Sequence, residues 1–150
     1  MNVVIKEFGE LTNNELYEIL KLRAEVFVVE QNCPYQDMDD KDQNSLHLMF
    51  WENSTLIAYT RLLEKGISYP DHVSIGRVVT SPIIRGKGIG KKLMAESIKV
   101  CIEHFGKTAI KISAQFHLKA FYEEFGFVTT GNQYLEDNIP HIAMIKTNLE

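Results

Sequence analysis

The stretch Arg85–Lys92, RGKGIGKK, contains three glycines and four cationic side chains. Before it, Val73–Thr80 is rich in β-branched residues, which favours a strand. After it, apolar residues recur at helical spacing at Met94, Ile98, Cys101, Ile102 and Phe105. The sequence therefore predicts a strand, a tight glycine turn and a helix, and this junction limits the fold more than any other feature.

A glycine turn that opens a helix is suited to binding an anion, because the backbone approaches closely and the first helical amides lack partners. Two known phosphate patterns fail here. The pattern GxxxxGK[ST] requires glycine at position 85, which is arginine, and Ser or Thr at position 92, which is lysine. The pattern GxGxxG requires glycine at position 91, which is lysine. The glycines and the helix N-terminus still predict that this turn binds a phosphate group. The alternative is a tight turn that binds nothing and whose lysines are solvated.

The remaining patterns predict a mixed α/β fold in a single domain, residues 1–150. Thr12 and Glu15 form a capping box before a helix that carries Arg23 within its apolar face. Residues 31–45 have no apolar period and are predicted to form a long loop. Strands are predicted at Val3–Phe8, Leu46–Trp51, Thr55–Leu63, Val73–Thr80, Thr108–Ala114, Phe127–Thr130 and His141–Lys146, and a helix at Phe116–Phe125.

Composition excludes several classes of protein. Sixteen cations against twenty anions give a formal charge of −4, which argues against a nucleic-acid partner. The N-terminus does not resemble a signal peptide, and no apolar run approaches the ~20 residues of a membrane span, so we expect a cytoplasmic protein without a membrane partner. Cys33 and Cys101 lack metal-ligand spacing, so free thiols and no metal are expected.

The acidic loop contains Asp37, Asp39, Asp40 and Asp42. A calcium loop starting at Asp40 is rejected because Ser45 and Trp51 occupy positions that require Gly and Glu. We expect these carboxylates to be solvated, and the alternative is a gate that recruits a cationic acceptor.

Two motifs resemble the GNAT superfamily of N-acetyltransferases. Arg85-x-x-Gly88-x-Gly90 resembles the family's [RQ]xxGx[GA] signature, and the segment from Gln115 to Phe127 resembles its N-x-x-A-x-x-[LF]-Y-x-x-x-G-F segment. Gln115 and Leu118 stand where the family usually has Asn and Ala, and the Gln115 side chain is one methylene longer than asparagine. The segments VFVVEQNCPYQDMDD, AQFHLKAFY and YLEDNIPHIAM resemble the ElaA-like branch of the superfamily.

The resemblance implies a GNAT fold, a mixed central β-sheet with splayed middle strands flanked by helices, and acetyl-CoA as cosubstrate. The pantetheine arm would lie in the gap and pair with backbone groups of Val78, Val79 and Thr80. The pyrophosphate would lie on the turn, and Gln115 and Tyr122 would also contact the cofactor. The implied turn residues are Arg85, Gly86, Lys87, Gly88, Ile89, Gly90 and Lys91.

The implied reaction is direct attack of a primary amine, on a small molecule or a peptide, on the thioester. Tyr122 matches the family's general acid for the thiolate, and the alternative is plain core packing. The Val79 amide would stabilise the oxyanion. No single base emerges, and water is an alternative. The candidates are Glu30, His47, His117, Glu136, Asp137 and His141.

Two rival functions remain open at the sequence level. One is a catalytically silent acyl-CoA-binding or regulatory module, and the other is a nucleotide-binding domain that uses the same turn. Phe27, Tyr35, Met38 and Trp51 are predicted to line an acceptor pocket, with core packing as the alternative for each. The pattern is compatible with a monomer or a homodimer.

Overall fold

Seven strands form two antiparallel sheets in the computed structural model, which describes residues 1–150. The strands are β1 (Asn2–Glu7), β2 (Leu46–Glu52), β3 (Thr55–Leu63), β4 (Ser74–Thr80), β5 (Ile110–Gln115), β6 (Val128–Glu136) and β7 (Ile139–Lys146). The first sheet has the order β1-β2-β3-β4 and the second has the order β5-β7-β6. The mixed fold with splayed middle strands, expected from the resemblance, is confirmed.

Strands β4 and β5 meet at one end only. A single parallel bridge joins Val73 to Ile110, and the Lys111 amide donates to the Val73 carbonyl at 2.8 Å. Further along β4, the register with β3 shifts, and Arg77 has a left-handed φ of +51°. Such an irregularity bends a strand and increases its twist. The two sheets therefore separate and leave a gap between them.

Three α-helices cover the sheets: α1 (Asn13–Arg23), α2 (Ile89–Phe105) and α3 (Lys119–Glu123). The predicted capping box is confirmed, because the Glu15 amide donates to Thr12 Oγ1 at 3.1 Å and the Thr12 amide donates to Glu15 Oε1 at 2.8 Å. One core of 19 buried residues joins both sheets to α2 and α3. A second core of 8 lies between α1 and the other face of the first sheet.

The chain continues from α1 into a wide π-helical turn, residues Ala24–Glu30. The amides of Gln31 and Cys33 donate to carbonyls five residues earlier, those of Val26 and Val28. The apolar face around Arg23 predicted an ordinary helix and did not show this turn. Such turns are rare and are often found at functional sites.

The last hairpin is longer than predicted. Strand β6 extends to Glu136 rather than Thr130, and β7 begins at Ile139 rather than His141. The register of β6 shifts between Thr130 and Tyr134, which breaks the alternating pattern that identifies a strand. Asp137 and Asn138 both have positive φ, at 51° and 64°, as a tight two-residue hairpin turn requires.

Candidate active site

Two cavities meet at the gap between β4 and β5. The first, here called the turn-side cleft, lies beside the glycine turn, and the second, the hairpin-side cavity, lies beside the β6–β7 hairpin. Val78, Gln115 and Tyr122 line both cavities. The turn-side cleft is also lined by Val79, Thr80, Arg85 and Gly90, so it brings together seven of the predicted cofactor residues.

The glycine turn has the backbone geometry that its sequence predicts. Gly86 and Gly88 have φ of +83° and +74°, conformations that side-chain-bearing residues rarely adopt. The first amide of the helical ladder is that of Lys92, which donates to the Gly88 carbonyl at 3.3 Å. The amides of Ile89, Gly90 and Lys91 therefore have no helical carbonyl to pair with. The N-terminus of α2 thus has free donors and the positive end of the helix dipole.

The other turn residues differ in their surroundings. Lys87 is exposed, and Lys91 is exposed and pairs with Glu124 at 3.3 Å. The Ile89 side chain is 9% exposed and packs into the larger core, so only its backbone faces the turn. Gly90 faces the Phe121 ring of α3, which lies 3.9 Å from the position of an added Cβ. Gly86, Lys87, Gly88, Ile89 and Lys91 do not line the turn-side cleft itself.

Arg85 is held by an acidic partner across the cleft. Its guanidinium makes two 2.7 Å contacts with the Glu30 carboxylate, from Nη1 to Oε2 and from Nη2 to Oε1. The hydrogen bond from Arg85 lowers the pKa of Glu30, so this carboxylate is ionised at neutral pH. Glu30 was a candidate base, but an ion-paired carboxylate with a lowered pKa is a poor proton acceptor.

Tyr122 lies where the two cavities join. Its side chain is 6% exposed and packs edge-on against Phe121 and Phe127. Burial raises the pKa of Tyr122 to about 12, so its phenol keeps its proton at neutral pH. Tyr122 therefore packs in the core and also lines both cavities, so core packing and a role as general acid are compatible.

A pair of amide side chains links the two sides of the cleft. Gln31 Nε2 donates to Gln115 Oε1 at 3.4 Å, and Gln115 Nε2 donates to Gln31 Oε1 at 3.3 Å. Both glutamines line both cavities. The extra methylene of Gln115, relative to the asparagine usual in the resemblance, thus supports a contact with the end of the π-helical turn.

His141 and Glu136 lie together in the hairpin-side cavity. His141 is 6% exposed, its Nδ1 donates to the Ile139 carbonyl at 2.7 Å, and its Nε2 lies 3.5 Å from Glu136 Oε2. Because a carbonyl can only accept, Nδ1 carries the hydrogen and Nε2 of the neutral ring carries the lone pair. The Tyr134 ring stacks on His141, and its hydroxyl contacts Ser113.

The other candidate bases have different environments. His47 is fully buried, contacts the Tyr59 hydroxyl at 2.6 Å and the Asp42 carbonyl at 2.9 Å, and has a pKa lowered by burial. His117 is exposed at the turn-side cleft. Asp137 lines the hairpin-side cavity at the hairpin turn, and its carbonyl accepts from Cys33 Sγ at 2.9 Å. His117 and His141 each share a cavity with Tyr122, but only His141 is buried.

The expectation that the acidic loop is solvated is wrong for two of its carboxylates. Asp37 and Asp42 are each 7% exposed, because arginines from the neighbouring elements pair with them. The buried Arg23 donates from Nε to Asp37 and from Nη1 to Asp42, both at 2.8 Å. Arg61 also bonds Asp42, at 2.9 Å, and Arg77 bonds Asp37 at 2.7 Å. An arginine in an apolar helix face was the sequence signal for this network.

The pocket-wall residues predicted in this region have mixed outcomes. Tyr35 and Phe27 line the hairpin-side cavity, and Tyr35 donates to Asp37 Oδ1 at 3.2 Å. Met38 is 54% exposed, and Trp51 packs beside the smaller core, so neither is part of the cavity wall. The ion-pair network thus fixes the loop that carries Tyr35 above the site.

The splayed sheets, the free helix amides and the paired cavities define an acyltransferase of the GNAT type. The chain belongs to this family, because the model described as an acetyltransferase (GNAT) domain matches residues 10–148. Among its relatives, the protein ElaA of Escherichia coli is 42% identical over 140 residues, which are 92% of this chain and 91% of ElaA.

Two solved structures extend the similarity to the fold. An acyl-CoA N-acyltransferase from Pseudomonas aeruginosa is 43% identical, with a TM-score of 0.91 over 97% of this chain and 99% of the other. The crystal structure of E. coli ElaA is 39% identical, with a TM-score of 0.90 and the same coverage. None of the helices here combines the length and the apolarity that a membrane span requires.

Proposed function

We propose that this chain, acting as one domain, transfers an acetyl group from acetyl-CoA to a primary amine. The observation that carries the proposal is that the turn-side cleft and the hairpin-side cavity meet at Tyr122. A cofactor that enters from the glycine turn and an acceptor that enters beside the hairpin would place their reacting atoms at this junction. Such placement removes much of the entropic barrier to a bimolecular reaction.

The residues of the turn-side cleft have the chemistry that coenzyme A requires. The pyrophosphate would bind the free amides at the start of α2 and the cationic side chains of Arg85 and Lys87. The pantetheine amides would pair with backbone groups of Val78, Val79 and Thr80, which β5 leaves uncovered where the sheets separate. Gln115 would offer its side-chain amide to the same arm.

The proposed reaction is a direct acyl transfer. The amine nitrogen attacks the thioester carbonyl, a C–N bond forms, and the C–S bond breaks. The Val79 amide would donate to the oxyanion, the departing thiolate would take the phenol proton of Tyr122, and the amine proton would pass to His141 Nε2. His141 Nε2 is proposed as the proton acceptor because Nδ1 already donates to the Ile139 carbonyl, which leaves the lone pair of the neutral ring on Nε2.

Two measurements on the wild-type protein test the proposal. Calorimetric titration with coenzyme A is expected to show saturable binding, and thiol release from acetyl-CoA is expected with at least one class of primary amine. Failure to bind coenzyme A would refute the assignment of the glycine turn. Binding without thiol release across polyamines, aminoglycosides, amino acids and peptide N-termini would instead support a silent acyl-CoA-binding module.

The Glu30→Gln variant is expected to bind coenzyme A about threefold more tightly than the wild type. The wild-type Glu30 carboxylate competes with the pyrophosphate for Arg85, and the amide keeps the shape but removes the charge. Calorimetry at low and high salt measures the change, which should shrink as salt rises. Glu25→Gln, an exposed charge change on the same turn, is the control. Weaker binding by Glu30→Gln would show that Glu30 assists the cofactor.

The His141→Gln variant is expected to lower kcat by about tenfold, less than a typical loss of a general base, since water can reach the cavity and carry the proton. Steady-state rates measure the effect. His104→Gln, an exposed change at the end of α2, should leave kcat unchanged. A His141→Gln variant with the kcat of the wild type would assign the proton transfer to another group.

A further inference from the structure

A polar groove extends the hairpin-side cavity away from Tyr122. The two spaces share Tyr35, Gly76, Arg77, Ser113, Glu136 and Asp137 along their common wall. The outer part of the groove is also lined by Asp39, Lys41, Arg61, Ser68 and Tyr69, and lacks His141 and Tyr122. An acceptor whose amine lies near His141 would therefore extend its other end toward these outer residues.

Both the inner end and the outer end of the groove have charged side chains near them. The Glu136 and Asp137 carboxylates lie on the common wall, and Glu136 Oε2 is 3.5 Å from His141 Nε2 at the inner end, which suits an ammonium group. In the ion-pair network, the guanidiniums of Arg23, Arg61 and Arg77 are matched by the carboxylates of Asp37, Asp39 and Asp42. Lys41 adds a cation that no carboxylate pairs with, and its Nζ contacts Ser68 Oγ at 3.3 Å. Asp39 also lines the outer part of the groove but is engaged by Arg61 and Arg77, so the Lys41 ammonium is the charge there that lacks an opposite partner.

Arg61 supplies a second and independent observation. Its side chain is only 4% exposed, and its Nη atoms bond Asp39 and Asp42 at 2.7 to 2.9 Å. Its Nε is the single buried side-chain nitrogen or oxygen that has no hydrogen-bond partner. A buried donor without a partner is destabilising, so its presence needs a reason.

The position of this donor relates it to the groove. Arg61 Nε lies 4.0 Å from the place that a Cβ at Gly76 would occupy, and Gly76 lines the groove. Arg77 Nε and Nη2 bond Asp37 and Asp39, whereas its Nη1 makes no hydrogen bond. Arg77 Nη1 and Lys41 Nζ thus provide donors without carboxylate partners on the groove wall, and Arg61 Nε lies behind Gly76, shielded from solvent and without a partner.

We infer that the acceptor is an amine that also carries an anionic group, a carboxylate or a phosphate, which binds at the outer end of this groove. The inference rests on the proposed transfer to an amine and adds the class of acceptor. The ammonium group lies by Glu136 and His141, and the anion lies by Lys41, Arg61 and Arg77. Diamines and other purely cationic amines lack a partner for the outer donors and are poor acceptors.

Equilibrium binding to the coenzyme A-saturated protein tests the inference without relying on turnover. The probes are ω-amino acids of increasing length and glycylglycine, the matched carboxamides, and 2-aminoethyl phosphate beside ethanolamine. The acids are expected to bind about tenfold more tightly than their carboxamides, as a charge-assisted contact provides. The phosphate arm shows which anion the groove prefers. Equal binding of acids and carboxamides, or preferential binding of diamines, would overturn the inference.

Two variants connect this preference to the groove. Lys41→Gln is expected to reduce the affinity for the acids about fivefold and to leave the carboxamides unchanged, while Lys99→Gln, an exposed charge loss on α2, changes neither. Gly76→Ala places a methyl group over Arg61 Nε at ordinary contact distances, 3.6 Å from Leu63 Cδ1, and should also lower the affinity for the acids. Equal losses for acids and carboxamides in Lys41→Gln would overturn the inference.

The outcomes separate this inference from the proposed function. Preference for acids in binding, without thiol release in the presence of acetyl-CoA, would refute the transfer and keep the anion site. Thiol release with amines that lack an anionic group, at the kcat/KM of the acids, would keep the transfer and refute the anion site.

Discussion

Replacing Tyr122 with phenylalanine is expected to lower kcat by about 100-fold while the affinity for coenzyme A changes little. The ring still fills the space between Phe121 and Phe127, so packing is retained and only the hydroxyl is lost. Burial raises the pKa of Tyr122 to about 12, so the wild-type phenol is protonated and able to donate throughout the neutral range. Single-turnover thiol release, where chemistry limits the rate, measures the loss.

The control for this substitution is Tyr17→Phe, which removes a phenol that is 68% exposed on α1. It should leave both kcat and stability unchanged. A Tyr122→Phe variant with wild-type single-turnover rates would remove the acid role from Tyr122 and leave it as a packing residue. Loss of coenzyme A affinity without a change in the chemical step would instead assign the hydroxyl to cofactor binding.

Replacing Arg23 with methionine is expected to lower the free energy of unfolding by about 3–5 kcal/mol. The Arg23 side chain is fully buried and its guanidinium bonds both Asp37 and Asp42, so its loss leaves each buried carboxylate with one guanidinium partner fewer. Urea unfolding followed by circular dichroism measures the change. Lys21→Met removes an exposed cation from the same helix and should change stability by less than about 0.5 kcal/mol.

The pH dependence of this difference provides a further check. Burial raises the pKa of Asp42, but the hydrogen bonds and charges of Arg23 and Arg61 together hold it below its usual range. Asp39 likewise has a lowered pKa, because the contributions of Arg61 and Arg77 outweigh its burial. A lowered pKa contributes stability that is complete above the unfolded value, about 3.9, and is lost as the pH falls through the folded value. The gap between the wild type and Arg23→Met should therefore narrow below about pH 4. A gap that is constant with pH would assign the loss to packing.

Much of the fold could be predicted because local chemistry and tertiary structure agree. The Thr12–Glu15 capping box begins α1, and Gly86 and Gly88 have the conformations that their turn requires. The end of the chain was harder, because Gly131 and a register shift interrupt β6, and a solvent-exposed edge strand lacks an apolar face to predict from. An alternating pattern of apolar residues identifies a strand only when one side of that strand is buried.

The candidate site could also be predicted from the sequence only in part. The motifs predicted the glycine turn and seven residues of the turn-side cleft, since a glycine turn at a helix N-terminus is set by local backbone geometry. The hairpin-side cavity depends on contacts between distant segments. Asp37 and Arg77 are 40 residues apart, and Gln31 and Gln115 are 84 apart. No spacing rule relates such pairs, so the loop that seemed solvated in sequence could not be recognised as a buried network.

Because of the π-helical turn at Ala24–Glu30, we expect the site to be sensitive to the number of residues in this segment. An α-helix rotates about 100° per residue, and a wide turn absorbs one extra residue without extending the helix by a full step. Deleting one residue there would restore regular winding and rotate Glu30 and Gln31 away from their partners Arg85 and Gln115. A single-codon deletion, far from the glycine turn in sequence, would thus detach one wall of the cleft while leaving both sheets intact.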